Sequence, residues 1–569
     1  MIARKAVHLA VRHFWLLLLA SLPLAAQSGQ TNHVHYATPK EASKPAPSGA
    51  LAPRLKNLGN HTFPVNCKGT EVQAFFNQGV NLAYGFNHAE AGRAFAEVAR
   101  RVPTCAMAYW GQALVLGPNI NAPMNPADEA KAYELIQKAI SLKGGATLRE
   151  RAYIDALATR YSGSADARKV NDKNYAAAMK RVSESFPGDL DAATLYAEAL
   201  MDLRPWDYWM RDGAPYPGTR EILNALDTVI QKNPNHPGAL HYWIHLWEPT
   251  KTPERAEAEA DRLVTLMPGA GHIVHMPGHI YQRVGRYEDV VRVNDLAIAA
   301  DEDYIAQCNA QGVYPLEYYP HNVHFKWFGA TMAGQSETAI AAARKTASVI
   351  PMQAIEQVPF LQGFLVVPYY ALVRFGKWEE LLKEPKPKYD SLFTRGVWHY
   401  SQGSAYAGLG RLDEADRELE QLKEIAADPK LPSIPASFSA NSAADILRIA
   451  PEVLAGQIAS ARKDYETAVA HLDRAVRLQD ALIYTEPDDW HYPVRHSLGA
   501  VLLRAGRATE AESVFWEDLR LHPENGWALS GLAKALRSQS KDEMATIIEQ
   551  RLQKAWAHAD VPRDAVSHF

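Results

Sequence analysis

The segments His241-Tyr-Trp-Ile-His245 and His275-Met-Pro-Gly-His279 carry the same pair of histidines 34 residues apart. A 34-residue period is that of a helical hairpin repeat, whose units bury their apolar faces only by stacking on one another. Histidines at i and i+4 share one face of a helix, so the two segments present the same pair of nitrogen ligands from neighbouring helices. His272 precedes the second pair, and His321 and His324 follow in the next window. Seven histidines in one window of a repeat protein point to a metal site more than to a recognition groove.

The rest of the chain agrees with a repeat architecture. Its 569 residues exceed one conventional core, but a solenoid reaches this length without separate domains. With a formal charge of −4 and no basic stripe, no nucleic acid partner is expected. From about residue 66 the apolar periodicity is helical, with no alternating strand pattern. A glycine closes a first helix and a small or aliphatic residue follows five positions later at Gly285/Val290, Gly334/Ala339, Gly410/Ala415 and Gly506/Ala511. Pro103, Pro187, Pro234, Pro268 and Pro523 stand where second helices must end. Two insertions interrupt the pattern, at 204–218 with Trp206 and Trp209, and at 303–320, which is rich in tyrosine.

Residues 1–26 read as a secretory signal. Arg4, Lys5 and Arg12 precede a short apolar run from Phe14, and Leu24-Ala-Ala26 offers a small-residue cleavage site. The run is too short for a comfortable membrane span, so the mature chain is expected to be exported, to the periplasm or beyond, without one. Residues 27–65, rich in Ser, Pro and Ala, read as a flexible lead-in. The solenoid is expected over 66–557, with 558–569 as a C-terminal tail. Export permits disulfides. Cys67 and Cys105 bracket the first repeat and are a candidate pair, or else two buried small residues. Cys308 is either a packed thiol or a soft metal ligand.

The glycine-to-small spacing and the prolines resemble the tetratricopeptide repeat. That resemblance implies an all-α superhelix of antiparallel hairpins with a concave inner face. Cys105-Ala-Met-Ala-Tyr-Trp-Gly111, Pro205-Trp-Asp-Tyr-Trp209, the run from Gly271 to Tyr287, and Glu486-Pro-Asp-Asp-Trp490 with Pro493-Val-Arg495 resemble an exported bacterial branch of these proteins. This second resemblance implies fold and export and assigns no activity. In the repeat register, set without reference to histidine, His241, His245, His272, His275, His279, His321 and His324 all fall on the inner face. Glu198, Asp202 and Glu248 take inner positions too, as ligands or as acids that orient imidazoles. Tyr281, Arg283 and Glu317 lie close by in sequence. Arg495, His496 and Trp490 form a second patch that either binds an anionic substrate group or caps the last repeats.

Neutral imidazole suits zinc, copper, iron or nickel, and seven candidates exceed one tetrahedral centre. A mononuclear site using part of the set and a di- or trinuclear site using most of it both fit. His-Glu-x-x-His is absent, as is a Glu-x-x-His pair for a carboxylate-bridged di-iron centre. Nor is there a haem-attachment Cys-x-x-Cys-His or a phosphate-cradling glycine loop. A histidine-dominated set in an exported protein favours copper first, then zinc or iron. The expected function is transition-metal binding, with oxidase- or hydrolase-type chemistry on a small molecule or peptide in the groove. The competing expectation is a non-catalytic scaffold that holds a protein or peptide on the same face.

Overall fold

A glycine in the left-handed region recurs between paired helices. Gly285, Gly334, Gly410 and Gly506 have φ of 82°, 71°, 73° and 75°, a conformation that a side chain disfavours. In each case the next amide bonds back to a carbonyl of the first helix, as Gln335 N–H does to Ala330 and Arg411 N–H to Tyr406. The residue five positions after each glycine (Val290, Ala339, Ala415, Ala511) is fully buried, where a small side chain lets the second helix approach the first. The computed structural model describes residues 49–308, 314–437 and 441–566. Among the described residues no strand occurs, and helices follow one another as antiparallel hairpins from Thr70–Tyr84 and His88–Arg101 to Gly526–Ser538 and Asp542–Ala555. Helices ending at Arg101, Ser185, Lys232 and Leu521 each meet their proline two residues later.

The expected ends are corrected by the packing. Residues 1–26 and 27–48 lie outside the described residues. Residues 49–65, expected as part of a flexible lead-in, instead lie along the first hairpin. Phe63 is buried against Phe76, Trp110 and Tyr153, which stabilises the segment by about 1.5–3 kcal/mol. Gln78 holds the neighbouring backbone by accepting from Leu55 N–H and donating to the Pro53 carbonyl. At the other end Asp560, expected in the tail, accepts from the amides of Ser336 and Glu337 at 2.6 and 3.0 Å and caps Ser336–Ser348. The insertion at 303–320 is partly regular, since the helix Tyr287–Cys308 runs into it and a π-helical turn, Tyr314–Tyr318, leads out.

The superhelix closes on itself at the histidine-bearing hairpins. From one side, the turn after the first helix brings Tyr84 and Phe86 against the helix Pro237–Trp247. From the other, Tyr484 donates to the Glu248 carbonyl and Glu486 reaches His279 across 207 residues. The last hairpins then pack on the helix Tyr319–Met332, whose terminal carbonyls accept from the indole N–H groups of Trp527 and Trp556. The concave face is therefore covered where the histidines lie.

A disulfide joins Cys67 to Cys105 across the first hairpin, closing 38 residues. Loop-closure entropy for that length corresponds to about 3–4 kcal/mol. Replacing both cysteines with serine should lower the stability of the N-terminal hairpins by about that amount, read as earlier unfolding in urea followed by Trp110 fluorescence. An unchanged midpoint would mean that packing alone holds this end.

Candidate metal centre

Short helices with firm starts aim the histidines. Pro237 occupies the first turn of Pro237–Trp247, where its missing N–H costs nothing, and the His236 side chain caps that turn by accepting from Ala239 N–H at 3.2 Å. His241 and His245 follow one turn apart on the face toward the first hairpin. The next hairpin begins at Gly271, packed so closely on Asp301 that any side chain there would overlap the carboxylate. Its first helix is interrupted at Met276, before Pro277, and carries His272 and His275 on one piece and His279 on the other. Tyr314 fixes the entry, accepting from His272 N–H at 3.0 Å while donating to Asp301 at 2.8 Å. The helix Tyr319–Met332 adds His321.

These helices assemble two adjoining groups of three imidazoles, His241/His245/His272 and His275/His279/His321, the ligand atoms of each within 4.8 Å of one another. Five of the six are almost wholly buried, with exposures of 0–4%. In the first group the tautomers follow from the outer partners. His241 Nδ1 lies 2.6 Å from the Tyr84 carbonyl and His245 Nδ1 lies 2.8 Å from a Glu248 carboxylate oxygen. The carbonyl only accepts, and so does Glu248 as a carboxylate, the form that the neighbouring His279 favours against burial, so both protons sit on Nδ1. Their Nε2 lone pairs then face each other at 3.0 Å, and His272 Nε2 lies 3.2 Å from His241 Nε2. His272 can supply one proton, to His241; nothing supplies one between His241 and His245. Burial and the neighbouring His279 hold His245 well below the usual imidazole range, which opposes a second proton there. The spacing is close to the roughly 3.3 Å that two nitrogens adopt around one tetrahedral ion at 2.0–2.1 Å bond lengths.

The second group has a similar frame. His275 Nδ1–H donates to Asn294 Oδ1 at 2.7 Å, and the Asn294 amide is oriented by its own bond to the Val290 carbonyl. His275 Nε2 faces His279 Nε2 at 2.7 Å. His279 Nδ1–H donates to Glu486, and a Glu248 oxygen stands 3.0 Å from the same nitrogen as an ion-pair partner. Burial alone would lower the His279 pKa, but the two carboxylates more than reverse this and raise it to about 10. This pair therefore closes with a proton when no ion is present. Glu248 bridges the groups, one oxygen on His245 and the other on His279. Each group is capped by a phenylalanine. Phe86 packs on His241, His245 and His272, and Phe325 on His275, His279 and His321.

Residues 399–429 match the family model described as tetratricopeptide repeat, a span that lies within the helices Leu392–Gly408 and Leu412–Ala426 and the residues that follow them. The fold is a tetratricopeptide-repeat solenoid. Among solved structures, a human IFIT1 dimer with m7Gppp-AAAA is similar at 13% identity, over 87% of this chain and 92% of that one, with a TM-score of 0.32. Yeast Tom70 is similar at 11% identity, over 85% and 90%, with a TM-score of 0.25. No curated protein matches the sequence.

Within the solenoid, a third cluster shows what a closed hydrogen-bond arrangement looks like. His61, His236 and Tyr84 surround Asp191 at 2.8, 3.3 and 2.7 Å. Because His236 Nδ1 accepts from Ala239, its Nε2 carries the proton and stands 3.3 Å from the carboxylate. Two hydrogen bonds, from His61 and Tyr84, and the nearby His236 N–H meet one carboxylate.

Other expected site residues go elsewhere. His324 leaves the triads and stacks on Trp327 at 4.9 Å. Glu198 and Asp202 join a buried network with Tyr242 and Arg160, where burial pushes them up to about 8 and about 6; Arg160 donates to Asp202 at 2.6 Å. Tyr281 donates to Asp261 on the outer side of its hairpin. Cys308 is a buried free thiol beside Glu90, and Glu317, pushed up to about 8 by burial, stands outside both triads. Arg283 does border the site, donating to the Thr250 carbonyl beside the Tyr484 ring. Arg495 is held by both oxygens of Asp480 at 2.7 Å, and Trp490 is core, packed on Tyr400. His496 accepts from Arg374 at 2.9 Å and donates to Asp518 at 2.8 Å, a structural link rather than a substrate contact. Tyr84, Phe86, Asn294 and Phe325 were not singled out by sequence; only Phe325, four residues after His321, stood at a telling spacing. The insertion at 204–218 lays Trp206 edge-on to His245 at 5.1 Å.

The Asp518 network yields a pH dependence. Burial alone would lower the His522 pKa, but Asp488 and Asp518 raise it from 6.5 to about 9. A raised folded-state value means that stabilisation is full below pH 6.5 and is lost as pH rises toward 9. The melting temperature should fall over that window, and His522→Gln should flatten the fall. An identical slope in the variant would assign the loss to other groups.

Proposed function

We propose that this repeat protein binds transition metal at the two histidine triads, one ion to each, and that copper is the preferred ion, with zinc or iron next. The observation that carries this reading is the pair of Nε2 lone pairs on His241 and His245, 3.0 Å apart with both Nδ1 protons committed outward. Two acceptors at that distance repel unless a cation lies between them. The outer partners Tyr84, Glu248 and Asn294 have the form of supports that fix ligand tautomer and raise imidazole basicity. Glu248 and Glu486 supply negative charge to offset buried cations.

Imidazole-bound copper or zinc supports oxidase- or hydrolase-type chemistry by activating dioxygen or water. The reading places that chemistry in an exported protein, on the strength of residues 1–26. A peptide held by the solenoid would meet another part of its surface, since the histidine face is covered.

Protein purified after export and dialysed free of loose ions should carry near-stoichiometric copper by elemental analysis. His241→Ala/His275→Ala should lose it while keeping the helical circular dichroism. Trace metal that those substitutions leave unchanged would overturn the reading.

A further inference from the structure

The two triads differ in how far their ligands stand from solvent. In the first, His241, His245 and His272 are 0%, 1% and 2% exposed, and the buried Phe86 ring packs on all three. In the second, His275 and His279 lie nearly as deep, but His321 is partly exposed. It stands in the first turn of Tyr319–Met332, at a helix end where fewer neighbours cover it. A cleft also adjoins this triad, its lining running from the partly exposed Asp488 to Glu486, which holds His279. Solvent therefore meets one ligand of the second triad directly and stops short of the first.

On the first triad a further ring lies outside the ligands. In the insertion at 204–218 and the residue before it, Leu203, Arg204, Pro205 and Asp207 are exposed, while Trp206 turns inward, edge-on to His245 at 5.1 Å. Its φ of 65° puts a bulky side chain in the left-handed region, a genuine outlier that persists only where the surroundings impose it. The base of the insertion is firm. Trp209 donates its indole N–H to the Leu246 carbonyl at 2.8 Å, and the Tyr208 carbonyl accepts from the Thr219 hydroxyl and from Tyr216 N–H at 2.7 and 3.0 Å. The strained residue is thus held with its ring on His245, at the one place where the first triad comes near the surface. A metal held by three protein ligands keeps one coordination position for water or substrate. Which triad can use that position is a matter of access.

We propose that an ion in the second triad exchanges with solvent and takes a small exogenous ligand past His321, whereas Trp206 seals the first triad against both. The inference rests on the metal reading for the ions and deepens it by naming the triad at which a substrate is met. The ligand class is a small oxygen or nitrogen donor, such as water, hydroxide or a small anion, because a larger molecule would have to displace the helices that carry the histidines. The first ion is then a closed-in neighbour of the reactive one.

The test loads the full chain with copper(II), which imidazole sites bind tightest among the divalent first-row ions, so it does not depend on the native metal. Azide binding is followed by its charge-transfer absorption, and copper release to EDTA is followed over time. The parent chain should bind one azide for every two coppers and lose half its copper in a fast phase and half in a slow one. His272→Ala should keep the copper that binds azide, and His321→Ala should keep only the slow copper, with the azide band lost. Trp206→Gly suits the backbone at that position and removes the ring, so both coppers should leave in the fast phase and both should bind azide. Circular dichroism like the parent's qualifies each variant, and Trp206→Gly with the parent decides the matter where a histidine variant does not fold. A single release phase with equal azide binding in the parent, a full azide band in His321→Ala, or unchanged release in Trp206→Gly would overturn the inference. The two readings fail separately: two coppers that behave alike remove only the difference in access, whereas a chain that holds no copper removes the triads as metal sites and this inference with them.

Discussion

The structure depends on how the polar atoms of a few buried imidazoles are paired. A solenoid that stayed open would leave His241, His245, His275 and His279 in water, with either tautomer available to each. Closure removes that freedom. The first hairpin delivers the Tyr84 carbonyl to His241 Nδ1, and the segment 484–486 delivers a carboxylate to His279 Nδ1. Once these contacts form, each ring has a proton outside, and His241 and His245 keep their lone pairs inside, whereas His279 holds a second proton toward His275. Burying neutral imidazoles in this state is costly unless the inner nitrogens also find a partner. The covalent scaffold, the covering segments and the interior nitrogens thus form one coupled arrangement, and removing any of the three changes the demands on the others.

The repeat scaffold was legible where glycine marks the left-handed turn, and less so where another residue takes that position. Phe86, Lys463 and Ser540 have φ of 55°, 64° and 57°. Each is followed by an amide bonded back as in the glycine turns, Asn87 to Leu82, Asp464 to Ala459 and Lys541 to Leu536. The residue five positions on (Ala91, Ala468, Ala545) is fully buried in each. The small residue is therefore the firmer signal, because it is set by helix–helix approach, whereas the turn tolerates side chains at some cost. The composition also misled at the lead-in: Ser, Pro and Ala suggested a free segment, but over 49–65 the buried Phe63 ring and the side chains of Gln78, Asn81 and Glu97 hold it to the first hairpin.

The six triad histidines were legible because their spacing follows the helix, and a helix face is a local property. Of their partners, Glu248 was legible from the same register and stands on His245; the distant ones were not. Tyr84 and Glu486 reach the site from 157 and 207 residues away, and no local pattern marks either. Glu198 and Asp202 show the opposite failure. Both occupy inner-facing register positions, yet Asp202 takes the Arg160 guanidinium at 2.6 Å, a stronger partner than an imidazole, and Glu198 is buried beside it with its pKa raised by burial and Asp202. Register gives the direction of a side chain, but the competing charges around it decide what it binds.

Asp191 sharpens the contrast between a closed polar cluster and an open one. His61 and Tyr84 donate to one carboxylate and the His236 Nε2 proton stands 3.3 Å from it, so every inward group there can carry a proton toward an acceptor. The second triad also balances, provided His279 holds a second proton, which its two carboxylates favour. The first triad does not: with the protons of His241 and His245 on Nδ1, one imidazole proton remains for three inward nitrogens. The three clusters are built from the same residue types at similar burial, so burial and composition do not separate them. Tyr84 belongs to two of them, donating its hydroxyl to Asp191 and accepting at its carbonyl from His241. The balanced cluster thereby holds in place the backbone oxygen that leaves the other one short of protons.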